Sequence, residues 1–573
     1  MSLPDWIILV VTLTGIIAYG LYKSRTTKNL EGYFLSNRSM PWYLILLSIM
    51  GTQASAITFL SAPGQAFTDG MRFVQYYLGL PIAMVVLCVT FVPLFARLRV
   101  FTAYEYLEQR FDIKTRTYTS FLFLLSRGLS TGVSIYAPSI ILSSLLGWDI
   151  FWTNIVMGGL LIIYTVSGGA KAVAYTQQLQ LIIIFSGMIL AGYMVVHLLP
   201  SGIGFMDALR ISGSSGKMNV ITTGITPKGF DWKDKYNIIS GVIGGFFLAL
   251  SYFGTDQSQV GRYLTAKSTV AGKMGLLMNG LVKVPMQFLI LLTGVLLFAF
   301  YQFQPQPVFF NKTEQQKLWH SKQREKAFVI EKAYDSINTK KQQVLQHWKE
   351  DNDGARKQLK VLNDKGTELR NHYKSLITSA DVGGDDNDTN YIFLRFVVDY
   401  LPKGLVGLLI AIIFLAAWGS IAAALNSLAS CTMIDFYLRF KKDRTIIQSA
   451  ETDQQQYTAS KYFTLAWGIF SVVVAEFSAG MGSLIEVVNI MGSLFYGVIL
   501  GIFLVAFYCK KIKGNAVFYA AVISELAVIC VFFLDKYNII GLGFLWLNVI
   551  GAVLVMALGW IIQLFSNTRP MAR

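Results

Sequence analysis

The sequence predicts an all-α polytopic membrane protein with about 13 transmembrane helices, and three observations carry that prediction. Hydrophobic residues make up 54% of the 573 positions and charged residues 14%, against roughly a quarter charged in soluble domains. Apolar runs such as Trp6–Tyr22 and Met274–Phe300 recur along the chain, and a helix of about 20 apolar residues crosses the hydrocarbon layer of a bilayer. The formal charge of +16 is divided among short loops between those runs, as in cytoplasmic loops of membrane proteins. Charge placed this way is not a nucleic-acid-binding face, so the bilayer and not a nucleic acid is the expected partner.

The spans are read at 4–22, 41–65, 72–96, 117–146, 150–168, 172–199, 237–254, 274–302, 391–436, 459–479, 482–509, 515–535 and 539–566. The ninth is too long for one straight crossing, so its end is expected to continue as a cytoplasmic helix. The first lacks the basic lead and small-residue cleavage site of a signal peptide and is read as a retained helix. Orientation follows from the basic loops: Lys23, Arg25, Lys28 and Arg38 after span one; Arg97, Arg99, Arg110, Lys114 and Arg116 after span three; Arg262, Lys267 and Lys273 after span seven. Arg439, Lys441, Lys442 and Arg444 follow span nine, Lys510, Lys511 and Lys513 span eleven, and Arg569 and Arg573 the last. With these loops cytoplasmic, the N-terminus lies outside and the C-terminus inside.

Residues 304–390 differ in kind, being polar and rich in Lys, Gln, Asp and Glu. They fall on the extracytoplasmic side, and helix-forming composition over Glu314–Trp348 and Ala355–Ile377 predicts a helical hairpin there. His320, His347 and His372 lie in it without metal-ligand spacing, and the segment reads as a solvated cap. Cys88, Cys431, Cys509 and Cys530 sit in or beside apolar segments and read as small core residues, not a disulfide framework.

Polar groups inside a bilayer are costly unless paired or wet, which makes each one a candidate for function. Lys283, in Asn279-Gly-Leu-Val-Lys-Val-Pro285, either ties broken helices together or meets a solute. Arg127, among Ser126, Ser130 and Thr131, either holds an anion or caps a neighbouring helix. Glu486 and Asn489 lie one turn apart and share a face, whereas Glu525 in span twelve reads as peripheral. Span two contains Gly51-Thr-Gln-Ala-Ser-Ala-Ile-Thr58. So many small and hydroxyl residues at mid-membrane suit a discontinuous helix, whose unwound stretch frees carbonyls for a cation and hydroxyls for a solute. Close helix packing through small residues is the other reading. Span seven, with Gly241, Gly244 and Gly245 before Tyr252, offers a matching weak helix.

Five segments in this order resemble the sodium/solute symporter family: Ser55-Ala-Ile-Thr-Phe-Leu-Ser-Ala-Pro63; Phe91-Val-Pro93 leading to Tyr104-Glu-Tyr-Leu107; Ser167-Gly-Gly-Ala-Lys-Ala-Val-Ala-Tyr-Thr176; Thr255-Asp-Gln257 with Arg262-Tyr-Leu-Thr-Ala-Lys267; and Leu425-Asn-Ser427 with Asp435-Phe-Tyr437. The resemblance implies the five-plus-five inverted-repeat fold of the amino-acid transporter LeuT. The chain then divides into a leading helix and loop (1–40), the first repeat and start of the second (41–303), the polar insert (304–390), the rest of the second repeat (391–509) and two C-terminal helices (510–573). It also implies substrate positions at Gln53, Ser55, Thr58, Phe73, Tyr77, Lys283 and Asn489, with Tyr252 as an inner gate. Ser55 with Thr58 is most similar to sialic-acid symporters, while Tyr136-Ala-Pro138 is similar to the iodide, vitamin and monocarboxylate branch; Arg127 fits either anionic cargo.

The resemblance further implies a sodium site between spans two and nine, on Gly51, Ala54, Ala416, Gly419 and Ser420. There the chain departs from the family pattern, since Ser420 alone keeps the hydroxyl expected of span nine, and Gln177 replaces the aspartate of a second ion path. A hard cation prefers several oxygens, with charge where available, so the substitutions predict a weakened site. The reading is a secondary active transporter of the cell inner membrane with sodium as coupling ion and no other cofactor, carrying a small polar organic solute such as a sugar or sialic acid. Proton-coupled or uncoupled transport of an organic anion or monocarboxylate is the alternative, with a transporter-derived sensor behind it. Channel and enzyme are disfavoured, because neither a repeated filter nor a nucleophile, base or metal-ligand set emerges.

Overall fold

The computed structural model describes all residues except 25–29, 347, 349–351, 442–449, 479–480 and 568–573. The expectations for Arg25, Lys28, His347, Lys442, Arg444, Arg569 and Arg573 therefore concern residues outside the described ones. The architecture is all-α, its strands limited among the described residues to an antiparallel pair, Ile225–Thr226 with Gly229–Phe230. Among the described residues ten helices are long and apolar enough to cross a membrane, and three shorter apolar ones, Trp42–Gln53, Ile150–Val166 and Ser240–Thr255, lie where spans break or turn.

Each interruption has a local cause. Spans five and six lie within Ile150–His197, yet Tyr164 Oη and Thr176 Oγ1 are 2.5 Å apart. In a straight helix residues twelve apart are separated by about 18 Å. The chain therefore doubles back between them, and the two crossings remain distinct. Span seven opens with a π-turn at Ser240–Gly244 before Gly245–Thr255. A Cβ at Gly241 or Gly245 would run into the carbonyls of Gln75 and Tyr76; the glycines let span seven press against the 3-10 turn Gly70–Tyr77 that begins span three.

Span nine is broken near its start, and its end continues as helix to Phe440, as its length predicts. Ile392–Tyr400 is a separate helix, Gly404 turns the chain at φ +90°, and Leu405–Cys431 then crosses. Span four, Ile113–Leu146, starts where Asp112 Oδ1 accepts from Thr115 N at 2.8 Å. Span eight is Thr269–Phe303, span eleven Leu484–Tyr508, and spans twelve and thirteen are Gly514–Lys536 and Leu545–Asn567.

Among its described residues the 304–390 segment holds three α-helices, Lys312–Trp319, Arg324–Gln346 and Asn352–Ile377. The predicted continuous Glu314–Trp348 helix breaks because Ser321 forms a turn, its Oγ accepting from Gln323 N at 3.1 Å. Phe309, Leu318, Ile330, Tyr334 and Tyr373 give the segment a small core of its own. Asp388 holds the segment together, accepting from Arg370 (2.8 Å) and Phe310 N (2.9 Å), and Asn390 ties it to the bundle, accepting from Ser61 Oγ of span two (2.7 Å). The cysteines are free, but the expectation that all four are core residues holds for Cys431 and Cys509; Cys530 is exposed and Cys88 only half-buried. Glu525 is buried, both carboxyl oxygens without a partner among the described residues.

Candidate solute and ion site

Span two is broken in mid-membrane. Trp42–Gln53 and Ala56–Asp69 are separate helices joined through Ala54 (φ −79°, ψ 76°) and an extended Ser55 (ψ 173°). Ser55 N turns to Gln53 O and Thr58 N to Ser55 O, both at 3.0 Å. The carbonyls of Gly51 and Ala54 thereby lose the amide partners that a continuous helix would give them.

Beside the break lies a cavity of about 100 Å³. Of the nine residues expected at a solute, seven line it: Gln53, Ser55, Thr58, Tyr77, Arg127, Tyr252 and Asn489. Gln53 Oε1 is buried there with no partner among the described residues. Phe73 is not on the wall; it packs behind, with ring centroids 5.7 Å from Tyr76, 6.0 Å from Tyr77 and 4.9 Å from Tyr236. Lys283 is displaced in the same way. It is fully buried, its Nζ 5.7 Å from the Tyr77 ring centroid and without a hydrogen-bond partner among the described residues, so Tyr77 stands between it and the cavity.

Two polar lining residues escaped the sequence reading. Tyr76 donates to Asn489 Oδ1 at 3.2 Å, and Tyr496 donates to Asp256 Oδ2 at 2.7 Å. A tyrosine in an apolar span gives no sequence signal, since it serves equally as packing. Asp256 was visible within Thr255-Asp-Gln257, but nothing nearby in sequence marks its partner. That partner is Arg127: its Nε donates to Asp256 Oδ2 at 3.0 Å, its Nη2 also bonds that oxygen, and its guanidinium lies 5.3 Å from the Tyr252 ring centroid. Arg127 therefore faces the cavity and closes an ion pair at once.

The cleft between spans two and nine is filled differently. Gln177 accepts from Ser48 Oγ at 2.7 Å and donates through Nε2 to Thr52 Oγ1 at 3.2 Å and to Gly419 O at 3.0 Å. Ser420 Oγ donates back into its own helix, to Ala416 O and Ala417 O at 3.0 Å. Of the five expected ion-site residues, Gly51 and Ala54 thus offer carbonyls freed by the break, while Ala416, Gly419 and Ser420 have theirs engaged.

The sequence profile described as Sodium:solute symporter family matches residues 33–317 and 372–524. The chain belongs to the sodium:solute symporter family. Within it, a sodium/sialic acid symporter of Proteus mirabilis is 24% identical over 99% of this chain and 96% of its own length. One from Aliivibrio fischeri is 24% identical over 98% and 94%. The human sodium/iodide cotransporter is 30% identical over 51% of this chain and 44% of its own length. A solved sodium-coupled sialic acid symporter, in a substrate-bound outward-open state, shares the fold at TM-score 0.75, with 23% identity and 98% of both chains covered.

In this symporter bonded clusters of side chains draw the helices together on both sides of the cavity. Toward the insert, Tyr236 meets Phe73 edge-on and donates to Glu486 Oε1 at 2.8 Å, while Lys235 Nζ donates to Glu486 Oε2 at 2.9 Å. Glu486 is thus one turn from Asn489 but serves that cluster, not the cavity. On the opposite side Tyr104 Oη donates to Thr255 O (2.7 Å), Gln257 Nε2 to Phe101 O (2.8 Å) and Thr102 Oγ1 to Asp435 Oδ1 (2.8 Å). Arg116 then joins Asp435 (2.7 Å) to Glu108 (2.8 Å). The Arg439 guanidinium bonded to Glu108 holds its carboxyl below the usual carboxylate range.

Proposed function

We propose that this symporter carries an anionic sugar acid of the sialic acid type, with sodium, inward across the cell inner membrane by alternating access. The observation that carries the reading is the convergence of the Ser55 and Thr58 hydroxyls and the Arg127 guanidinium on one cavity at the helix break. Two hydroxyls and a guanidinium match a carboxylate, and the amide of Asn489 with the rings of Tyr76, Tyr77 and Tyr252 suits a polyol with apolar faces. The two full-length relatives named for sialic acid support the same cargo.

Sodium held by the Gly51 and Ala54 carbonyls beside span nine would favour the state open toward the insert. A ligand shifts such an equilibrium only by binding one state better. The N-terminus and the insert lie outside and the C-terminus inside, the arrangement the basic loops favour. The test is uptake of N-acetylneuraminate into proteoliposomes under an imposed inward sodium gradient. Accumulation that follows the gradient is expected; uptake indifferent to it refutes sodium coupling.

One observation favours a second reading. Gln177 already satisfies Gly419 O, and with Ser420 turned into its own helix the span-nine side of the site offers a cation little. Proton-coupled or uncoupled transport of an organic anion follows if the same vesicles respond to a pH gradient, or only to trans solute.

A further inference from the structure

The Arg127–Asp256 pair sits where the solute cavity meets the bonded cluster on the side away from the insert. Asp256 is the extended residue (φ −78°, ψ 116°) between the helices Gly245–Thr255 and Gln257–Leu264. Its two oxygens have separate duties. Oδ1 caps the second helix, accepting from Ser258 N at 2.8 Å and Ser258 Oγ at 2.6 Å. Oδ2 takes Arg127 Nε at 3.0 Å and Tyr496 Oη at 2.7 Å. Arg127 and Tyr496 line the cavity, and Tyr252, also on its wall, accepts from Gln259 of the capped helix at 2.7 Å. On either side of Asp256, Thr255 and Gln257 are stapled to the 101–104 segment that leads to Asp435 and Arg116.

We propose that Asp256 is an internal stand-in for the cargo's carboxylate: an anionic solute entering the cavity takes Arg127 and Tyr496 from Asp256, and the released carboxylate unlocks the 255–264 hinge. This rests on the anionic-solute reading above and names how that charge is used. The guanidinium presents one carboxylate with the donors that another carboxylate needs, so pairing with Asp256 and pairing with the solute compete. A neutral sugar brings no charge to replace Asp256, and breaking a buried pair without replacement is strongly unfavourable. The competition therefore makes the solute's charge, and not its mere presence, the signal that opens the far side. Asp256 touches no solute in this scheme; it is a positioning residue acting through Arg127.

The experiment is Asp256→Asn in the full-length purified protein, read by N-acetylneuraminate binding in saturating sodium, by uptake, and by hydrogen–deuterium exchange of 257–264. If the pair holds Arg127 about nine-tenths of the time, removing the competitor tightens the apparent Kd about tenfold. Uptake falls, and exchange in the solute-free variant rises to the level that the native protein reaches only with N-acetylneuraminate bound. Neutral N-acetylmannosamine leaves native exchange unchanged. Weaker binding in the variant, or solute-free exchange equal to native, overturns the proposal, since a merely structural aspartate would not tighten binding when lost. Should Asp256→Asn fail to fold, Tyr496→Phe takes one donor from Asp256 and raises the solute-free exchange of 257–264 two- to threefold; no rise overturns the proposal equally. If N-acetylneuraminate does not bind the native protein, the solute assignment falls, and the solute-free exchange comparison still decides the hinge.

Discussion

The solute cavity and the cleft between spans two and nine share the broken second helix, yet they dispose the polar atoms nearest the break differently. Around the cavity, Gln53 Oε1 is buried without a partner among the described residues, and Ser55 and Thr58 line the open space. In the cleft, Gln177 satisfies Ser48, Thr52 and Gly419 together, and Ser420 is bonded into its own helix. Buried polar groups are ordinarily hydrogen-bonded. An exception on a cavity wall marks where a cargo supplies the partner; a filled cleft marks where the chain has supplied its own. The amide of Gln177 offers an N–H to Gly419 O where a cation would offer charge.

The largest effect that tests this contrast comes from Gln177→Leu. Ser48 Oγ and Gly419 O then lose their buried partner, at about 1 to 3 kcal/mol each, so a clear fall in thermal stability in detergent and loss of uptake are expected. An unchanged melting temperature would show that the amide is not what joins spans two and nine. Gln177→Asp sharpens the same point: two acceptors then face each other across the cleft, and sodium should raise the melting temperature further than it does for the native chain.

Gly419→Ser comes next. The departure from the family pattern predicts that a serine here strengthens sodium dependence, but a Cβ at 419 would sit 2.5 Å from Gln180 Oε1. Overpacking of this kind costs about 1 to 3 kcal/mol. The single variant is therefore expected to lose stability, and the gain in sodium dependence to emerge only with Gln180→Ala. A single variant of native stability with a lower half-saturating sodium concentration would show that the cleft has room to spare.

On the cavity side, Thr58→Ala and Asn489→Ala should each weaken N-acetylneuraminate binding about tenfold, or about 1.4 kcal/mol, with normal expression. Loss of Asn489 also frees the Tyr76 hydroxyl, so its effect should be at least that of Thr58. Unchanged affinity in both would move the cargo out of this cavity and dissolve the contrast from the other side.

What was legible in the sequence follows the reach of each signal. The break at Ala54–Ser55 was readable because small and hydroxyl residues at mid-membrane have few other uses, and a local pattern has a local consequence. The Arg127–Asp256 pair was not, because it joins residues 129 positions apart and only the fold brings them together. Phe73 and Lys283 were assigned to the cavity by likeness of position; the 3-10 turn at Gly70–Tyr77 rotates Tyr76 and Tyr77 onto the wall and leaves both others behind it. Span nine was read as one unit although Arg395, Asp399 and the turn signal Pro402-Lys403-Gly404 interrupt its apolar run, and the structure turns there.

Ser420→Ala is the smallest perturbation and separates two meanings of the filled cleft. The hydroxyl donates to Ala416 O and Ala417 O, bonds already used by the helix backbone, so its removal should change stability by less than about 0.5 kcal/mol. Sodium dependence is the informative readout. If the half-saturating sodium concentration for uptake stays native, the Gly51 and Ala54 carbonyls hold the ion with water, and span nine contributes shape alone. If it rises several-fold, the hydroxyl must rotate out of its helix when sodium arrives, and the engagement at Ala416 is a resting arrangement that the ion reverses. The cleft would then resemble the cavity after all, its polar atoms held in reserve by weak local bonds and not spent.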